Sequence, residues 1–172
     1  HLVGRTTMMK HGLVLAAPAL LLCGCDKGVN MKSASAPASP ARACDGSDAV
    51  NRKIVLAFYN EALVGLRPRP AFERYMTPDF VEHKPDISNG TREASAEFLE
   101  QLISELPQAR WEVVRTIAEG QMVFLHARFT PAAGAPSYAI ADVFRLENCK
   151  IAEHWDVVAP PPKEQRNPNS RF

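Results

Sequence analysis

Carboxyl and imidazole side chains set within short apolar runs are the feature of this sequence with the most chemical potential. Asp142 lies between Ile140 and Phe144, and His154 and Asp156 follow in the next run. Burial disfavours the charged form of a carboxyl group and raises its pKa, which suits the group to general acid/base work. A reaction or ligand pocket with Asp142 at its wall needs this pattern, and a well-packed sheet with a few paired polar groups is the alternative.

The alternation of side chains along an extended strand sorts these residues by face. Every second side chain points to the same side of a strand. Asp142 therefore shares a face with Ile140 and Phe144, and His126 shares one with Phe124 in the preceding run. If Asp142 and His126 meet in one apolar pocket, His126 could orient Asp142 or share its proton. The expected ligand-binding residues are His83, Phe124, Ile140, Phe144, His154 and Trp155.

Other interpretations of these residues stay open at this point. Asp142 could form a purely structural pair with His126 or with Arg128, because a buried carboxylate needs a partner. His83 alone is more often a surface histidine than a catalytic one. The histidines and aspartates could also hold a metal ion, but no close ligand spacing such as His-x-His supports that, and no metal is predicted.

The periodicity of apolar residues predicts the elements that carry these side chains. Helical spacing comes first, and spacing of two follows from Trp111 onward. Helices followed by a strand meander indicate an α+β fold. The expected elements are a helix from Asp48 to Gly65, a short helix at 71–76, a short extended piece at 80–83, a helix from Thr91 that ends at Pro107, and four strands that begin at Trp111, Met122, Ser137 and Lys150.

The N-terminal part of the chain has the pattern of a targeting segment. Leu13–Leu22 is an apolar run of ten residues, too short to span a bilayer, and it ends in Leu22-Cys23-Gly24-Cys25. This ending resembles the lipobox of bacterial lipoproteins and implies a signal peptide over 1–24 and acylation of Cys25. Asp26 then resembles a retention signal for the periplasmic face of the inner membrane. An ordinary secretory signal is the alternative.

The cysteines and the boundaries follow from that interpretation. Of four cysteines, processing removes Cys23 and acylation uses Cys25, which leaves Cys44 and Cys149 as a disulfide pair or as two free thiols. Residues 25–46, rich in Ser, Ala and Pro, are expected to be a lipidated tether, 47–160 the folded domain, and 161–172 a disordered tail. The net charge of +1 and the lack of a basic run argue against nucleic-acid binding.

The order of several segments resembles the SnoaL-like polyketide cyclase family of the nuclear transport factor 2-like superfamily. The resemblance covers about residues 48–162. It is carried by Arg74-Tyr75-Met76, Phe80–Pro85, Gly90, His126, Asp142–Arg145 and Lys150–Val157.

This resemblance implies a cone-shaped fold in which a curved, mostly antiparallel sheet wraps around a long helix and encloses a pocket. In such cyclases an aspartate acts as general acid/base for an intramolecular aldol closure, with a histidine nearby. These roles fall on Asp142 and His126, and no metal or organic cofactor is implied.

Two functions therefore stay open. The first is a small cofactor-free lyase or isomerase that acts on an enolisable carbonyl compound. The second is a non-catalytic periplasmic module that binds a small apolar ligand or a protein partner. A homodimer is left open, and the membrane is expected as a partner only through the lipid anchor.

Overall fold

A computed structural model describes residues 44–172, so the lipobox and most of the expected tether lie outside the described residues. This part of the chain forms an α+β fold of three α-helices and a five-stranded sheet. The elements in chain order are α1 (Asp48–Tyr59), a π-helical turn (Asn60–Val64), α2 (Pro68–Tyr75), β1 (Met76–Glu82), a 3₁₀ turn (Ser88–Gly90), α3 (Arg92–Glu105), β2 (Arg110–Glu119), β3 (Met122–Thr130), β4 (Tyr138–Glu147) and β5 (Lys150–Ala159).

The sheet is mixed, with strand order β1-β5-β4-β3-β2. Strands β2 to β5 form the predicted antiparallel meander, and β1 joins its edge parallel to β5. The expected extended piece at 80–83 is thus the end of a longer strand. Pro78 lacks a backbone N–H, which an edge strand tolerates. Register shifts in the β1–β5, β2–β3 and β4–β5 pairings add to the bending of the sheet.

The helices begin and end close to where the sequence predicts. Thr91 caps α3, because its hydroxyl accepts a hydrogen bond from the N–H of Ala94 at 3.2 Å. The predicted first helix continues beyond α1 as the π-helical turn, which ends at Gly65. A Cβ at Gly65 would lie 2.9 Å from the carbonyl oxygen of Glu61, so a glycine is required there.

The core lies between the helices and one face of the sheet. Phe58 of α1 sits at its centre, with edge-on contacts to Phe72 at 5.2 Å and to Phe144 at 6.1 Å between ring centroids. From the sheet side, β3 contributes Val123 and Leu125, which are fully buried. The inner face is therefore set by these apolar side chains.

The start of the domain is held to the sheet by a covalent bond and by polar contacts. Cys44 and Cys149 form the predicted disulfide, with Cα atoms 6.0 Å apart across a sequence separation of 105. Asp48 accepts a hydrogen bond from the N–H of Gly120 at 2.8 Å. Asn51, which is buried, donates to the Gly120 carbonyl oxygen at 2.8 Å. These contacts dock the N-terminal end of α1 on the β2–β3 turn.

The C-terminal segment after β5 has no helix or strand, but its last two residues contact the sheet. Arg171 donates to the carbonyl oxygens of Ala159 and Pro160 at 3.2 and 3.1 Å. The ring of Phe172 stacks on His126, and the Arg128 guanidinium lies 4.3 Å from the centre of that ring. The last two residues of the segment expected to be disordered therefore contact the outer face and the end of the sheet.

Candidate active site

A cavity of about 380 Å³ lies between the helices and the inner face of the sheet. Its wall is mostly apolar, and a few polar side chains converge at one side, an arrangement typical of small-molecule sites. The polar lining residues are Tyr59, Glu82, Lys84, Asp86, Ser95, Tyr138, Asp142, His154 and Asp156. The apolar lining residues are Phe58, Leu63, Phe72, Met76, Ile87, Phe98, Leu99, Leu102, Trp111, Phe129, Ile140, Phe144 and Val158.

His154 is the centre of the polar side of this cavity. Its Nε2 lies 3.2 Å from Oδ1 of Asp142, and its Nδ1 lies 2.9 Å from both carboxyl oxygens of Glu82. The imidazole ring also stacks on Phe144, with ring centroids 4.6 Å apart. Both ring nitrogens therefore have a carboxylate partner, and the ring orientation is held by contacts on three sides.

The strand pairing explains why these side chains meet. Asp142 lies opposite Asp156 in the β4–β5 pairing, and Phe144 lies opposite His154. Glu82, the last residue of β1, lies opposite His154 in the parallel pairing of β1 with β5. Neighbouring strands therefore bring together two carboxylates and one imidazole on the inner face.

The two carboxylates determine the charge of His154. Burial alone would lower its pKa, but the hydrogen bonds and charges of Asp142 and Glu82 outweigh burial and raise the pKa to about 10. His154 is therefore an imidazolium at neutral pH, with an N–H for each carboxylate.

Asp142 is the carboxyl group placed for chemistry. Burial raises its pKa, the hydrogen bond and charge of His154 oppose this, and the net shift is upward. Its Oδ1 faces His154, whereas its Oδ2 is buried without a hydrogen-bond partner. A carboxyl oxygen without a partner, on a residue that lines a cavity, is a candidate proton acceptor for a bound ligand.

A second cluster of charged side chains, formed by Lys84, Asp86 and Asp156, also lines the cavity. Lys84 donates to Asp156 at 3.0 Å and lies 3.4 Å from Asp86. Burial lowers the pKa of Lys84, but the hydrogen bonds to Asp156 and Asp86 raise it further than burial lowers it. The backbone N–H of Lys84 also donates to Oε1 of Glu82 at 3.0 Å. This hydrogen bond links Lys84 to the carboxylate that contacts Nδ1 of His154.

The structure brings four of the predicted site residues to the cavity. Asp142, Ile140, Phe144 and His154 all line it. Their shared face on β4, and the inward face of His154 on β5, agree with the strand parity that the sequence indicates. The catalytic and ligand-binding roles of these residues remain predictions.

The predicted meeting of Asp142 and His126 is wrong. Leu125, not His126, lies opposite Asp142 in the β3–β4 pairing, so His126 is on the outer face. There it accepts a hydrogen bond from Arg115 at 2.6 Å. Parity grouped His126 with its neighbours correctly but could not tell which face of β3 turns inward.

Three expected ligand-binding residues also lie away from the cavity. Phe124 lies opposite Ile117, whose side chain is 62 % exposed on the outer face. Trp155 follows the inward-facing His154 on β5, and it stacks on His83 with ring centroids 4.4 Å apart. Nε2 of His83 lies 3.0 Å from Glu153. These three aromatic residues belong to the outer surface, and their predicted placement is wrong.

Sequence reasoning missed most of the polar residues of the cavity, among them Glu82 and Tyr59. Glu82 directly precedes His83, and the alternation within the extended piece could have placed it on the opposite face from His83. Tyr59 follows Phe58 in α1, and its buried hydroxyl carries no sequence signal of its own. Val123, Leu125 and Ala127 form an entirely apolar alternating set, which could have marked the inner face of β3.

A model of the SnoaL-like domain matches residues 55–154, which is more than half of the chain. The chain belongs to the SnoaL-like domain family. The matched range includes Tyr59, Glu82, Asp142 and His154, so these four polar residues of the cavity lie within the SnoaL-like domain. No curated protein matches the chain.

Solved structures share the fold of this SnoaL-like domain. A candidate SnoaL-like polyketide cyclase from Jannaschia sp. CCS1 is 22 % identical with a TM-score of 0.52, over 72 % of this chain and 91 % of that one. AclR, a candidate hydroxylase from Streptomyces galilaeus, is 20 % identical with a TM-score of 0.56, over 66 % and 81 %. A nuclear transport factor 2-like protein from Cytophaga hutchinsonii is 19 % identical with a TM-score of 0.52, over 64 % and 90 %. At these identities the likeness shows the fold alone.

Proposed function

We propose that this protein is a small lyase or isomerase of the SnoaL-like type that performs acid/base chemistry on an enolisable carbonyl compound. One observation carries the proposal. Asp142 lines an apolar cavity, His154 holds its Oδ1, and its Oδ2 is buried without a hydrogen-bond partner. No cofactor is required by this chemistry, because the side chains themselves move the proton.

The first step transfers a proton from carbon to Asp142. The carbon next to the substrate carbonyl loses a proton to Oδ2 of Asp142, and the C–H electron pair becomes the C=C bond of an enolate. The proton can return to a different carbon, which is an isomerisation. Alternatively the enolate carbon attacks a second carbonyl, and Asp142 gives its proton to the new alkoxide, which is an aldol closure. The reverse of that closure is a lyase reaction.

His154 and Glu82 support this step by charge. The imidazolium donates to Oδ1 of Asp142 and keeps that carboxylate in place, while Oδ2 has no hydrogen-bond partner. Glu82 holds the opposite nitrogen and so fixes the ring orientation. When Asp142 takes up a proton, negative charge moves to the substrate oxygen, and the imidazolium remains close enough to stabilise it.

The binding-module alternative predicts a different partner for Asp142. It calls for a salt bridge between Asp142 and Arg128 at an open groove. Arg128 instead pairs with Glu112 at 2.9 Å on the outer face of the sheet. The position of Asp142 in the cavity therefore supports the enzyme proposal, and the binding module becomes an outcome of the test.

The test measures exchange of the carbon-bound proton in the wild type and in Asp142→Asn. Incubation of apolar enolisable ketones such as 2-tetralone in deuterated water shows by NMR whether the protein accelerates deuterium incorporation next to the carbonyl. Asn keeps the shape of Asp but cannot act as a base, so we expect the variant to lose about 10²–10⁴-fold in rate. Because Glu82 still holds His154, we expect only a small change in melting temperature.

Glu112→Gln is the matched control, since it also neutralises one carboxylate of the sheet but on the outer face. It should keep the wild-type exchange rate. If the wild type accelerates exchange in no apolar ketone and Asp142→Asn lowers the melting temperature strongly, the enzyme proposal fails. A structural pair in a binding module would then be the better description.

A further inference from the structure

Two aspartates face each other at the wall of the cavity. Asp142 and Asp156 lie directly opposite each other in the β4–β5 pairing, and both line the cavity. Residues in such a pair have Cβ atoms about 4.5–5.5 Å apart, so two carboxylates at these positions repel each other. Partial burial strengthens the repulsion, because little water is present to screen it. This arrangement therefore needs positive charge close to both carboxylates.

Each of the two aspartates has a cation of its own. His154 donates to Oδ1 of Asp142 at 3.2 Å, and the ammonium group of Lys84 donates to Oδ2 of Asp156 at 3.0 Å. The side chains of Lys84 and Asp156 are 17 % and 11 % exposed, so water screens this ion pair only weakly. His154 already has a part in the proposed chemistry, whereas Lys84 has none.

The other charged or titratable groups near Asp142 cannot replace Lys84. Glu82 of β1 adds negative charge, and burial and the charge of Asp142 raise the pKa of Tyr59, which stays neutral. Asp86, which lies 3.4 Å from Lys84, has a side chain that is 69 % exposed and screened by water. The lining residues from α2, α3, β2 and β3 carry no charge. Within residues 44–172, Lys84 and one histidine are thus the only cations that line the cavity.

We propose that Lys84 is a positioning residue that acts through Asp156 and keeps Asp142 ionised, and so able to accept a proton. The inference rests on the proposed function, in which Asp142 is the base, and it adds the group that regulates this base. A negative charge nearby makes a carboxyl group harder to ionise, and pairing that charge with a cation removes the effect. Lys84 does not have to contact the substrate for this role.

The pKa shifts of these groups agree with the geometry. Burial raises the pKa of Asp142, and the hydrogen bond and charge of His154 oppose this. The negative charges of Asp156 and Glu82 then raise it again. Burial lowers the pKa of Lys84, but its hydrogen bond to Asp156 contributes to a net upward shift, so Lys84 is charged at neutral pH. The ion pair therefore counters one of the charges that favour protonation of Asp142.

The backbone holds Lys84 close to this site. Its N–H donates to Oε1 of Glu82 at 3.0 Å, and the N–H of His83 donates to the carbonyl oxygen of His154 at 2.9 Å. Lys84 follows two residues after Glu82, whose carboxylate contacts Nδ1 of His154. The β1–β5 pairing that positions Glu82 therefore also positions the ammonium group.

The experiment measures the pKa of Asp142 by NMR of protein that carries ¹³C at the aspartate carboxyl carbons. The Asp142 signal is assigned by its loss in Asp142→Asn. Lys84→Met removes the ammonium group and leaves Asp156 unpaired, so the pKa of Asp142 should rise by about 1 or more. Asp156→Asn removes the negative charge and keeps Lys84, so the pKa of Asp142 should fall by about 1.

A double variant separates the effect of charge from the effect of packing. Lys84→Met combined with Asp156→Asn replaces the ion pair by two uncharged side chains, so the pKa of Asp142 should return close to its wild-type value. Lys84→Arg keeps the positive charge and should keep that value as well. Arg128→Met is the matched control, because it breaks the ion pair with Glu112 on the outer face and should leave the pKa of Asp142 unchanged.

Three results of the titration would overturn the inference. The first is an unchanged pKa of Asp142 in Lys84→Met. The second is a shift in the same direction in both single variants, because loss of packing and not of charge would then be the cause. If Lys84→Met does not fold, Asp156→Asn decides, and the third result is an unchanged or higher pKa of Asp142 in that variant.

The pH dependence of proton exchange makes the same comparison in activity. The exchange rate should rise with pH as Asp142 loses its proton. In Lys84→Met this rise should move upward by about one pH unit, with a loss of about tenfold in rate at low pH and the wild-type rate at high pH. An equal loss at every pH would mean that Lys84 has only a structural role, and this would also overturn the inference.

The results separate this inference from the proposed function, because the NMR titration needs no substrate. The expected pKa shifts without any proton exchange would leave the control of Asp142 by Lys84 standing and remove the enzyme. Proton exchange that depends on Asp142, together with an unchanged pKa of Asp142 in Lys84→Met, would do the reverse.

Discussion

His154 shows how two carboxylates can change the behaviour of one side chain. A free imidazole loses its proton near pH 6.5, whereas the pKa of His154 is raised to about 10 between Asp142 and Glu82. The ring therefore cannot act as a base at neutral pH. Its part in the proposed chemistry is to hold Asp142 in place and to supply positive charge, which leaves the base role to Asp142.

The raised pKa of His154 makes the stability of the fold depend on pH. Below about pH 6.5 both the folded and the unfolded protein hold this proton, and between 6.5 and 10 only the folded protein does. We therefore expect the free energy of unfolding to decrease as the pH rises from 7 to 9. The limiting slope for one proton is about 1.4 kcal/mol per pH unit. Urea unfolding at several pH values measures it.

Substitution of His154 shows whether this residue, and no other titrating group, causes the pH dependence of the free energy of unfolding. His154→Gln should remove most of the slope. Burial and the charge of Arg115 lower the pKa of His126, so His126 titrates below this pH range and His126→Gln should keep the slope. A wild-type stability that does not change between pH 7 and 9 would contradict the charged state of His154.

At the scale of elements, the approach of α3 to β1 depends on one glycine. Gly90 has φ of +57°, and a Cβ there would lie 2.6 Å from the carbonyl oxygen of Glu82. Because the Glu82 carboxylate contacts His154, a displacement of the Glu82 backbone would also shift the position of His154 in the candidate site.

We predict that Gly90→Ala destabilises the fold more than Gly120→Ala does. Gly120 has φ of +56°, but a Cβ added there would have nothing within 4 Å, so alanine meets only backbone strain of about 1–2 kcal/mol. The steric clash at Gly90 should add about 1–3 kcal/mol. Urea unfolding of both variants measures the difference, and equal losses would show that the loop before α3 moves away without cost.

The disulfide joins the chain before α1 to the β4–β5 turn. Closing a loop with a sequence separation of 105 restricts the unfolded chain and stabilises the fold by up to about 4–5 kcal/mol. We expect reductant to lower the urea midpoint of the wild type, and the double variant Cys44→Ser, Cys149→Ser to have that lower midpoint with or without reductant. Two reactive thiols in the unfolded, unreduced domain would contradict the bond.

At the scale of the whole molecule, the membrane anchor is a proposal that rests on residues outside the described part of the chain. We propose that Cys25 carries the lipid and holds the domain at the periplasmic face of the inner membrane. Within residues 44–172, no helix is long and apolar enough to cross a membrane. The homodimer likewise stays a prediction, because the structure describes a single chain.

Labelling of cells with a fatty-acid analogue tests the anchor. The wild type should be labelled and Cys25→Ser should not, because the lipobox places the acyl chains on this cysteine. Cys23→Ser is the control, since Cys23 leaves with the signal peptide in our interpretation and its loss should keep the label. Equal labelling of Cys25→Ser would contradict the anchor.

Much of the fold could be predicted from the sequence because its signals are local. The apolar spacing of α3, the cap at Thr91 and the alternation along β3 to β5 each depend on residues close together in the chain. The resemblance to the SnoaL-like family supplied the curved sheet. The disulfide could be predicted because two cysteines remain once Cys23 is assigned to the signal peptide and Cys25 to the lipid. Asp142 and His154 were identifiable because polar residues within apolar strands are conspicuous.

The composition of the candidate site was decided by tertiary structure. His126 and Leu125 lie on adjacent positions of β3, and the packing of the helices against one face of the sheet determines which of them lies on the inner face with Asp142. Glu82 meets His154 through a parallel pairing between segments 72 residues apart, which no local pattern records. The side chains of a strand alternate whichever face is buried, so the sequence alone shows which residues share a face. Only the packed fold decides which of the two faces lines the cavity.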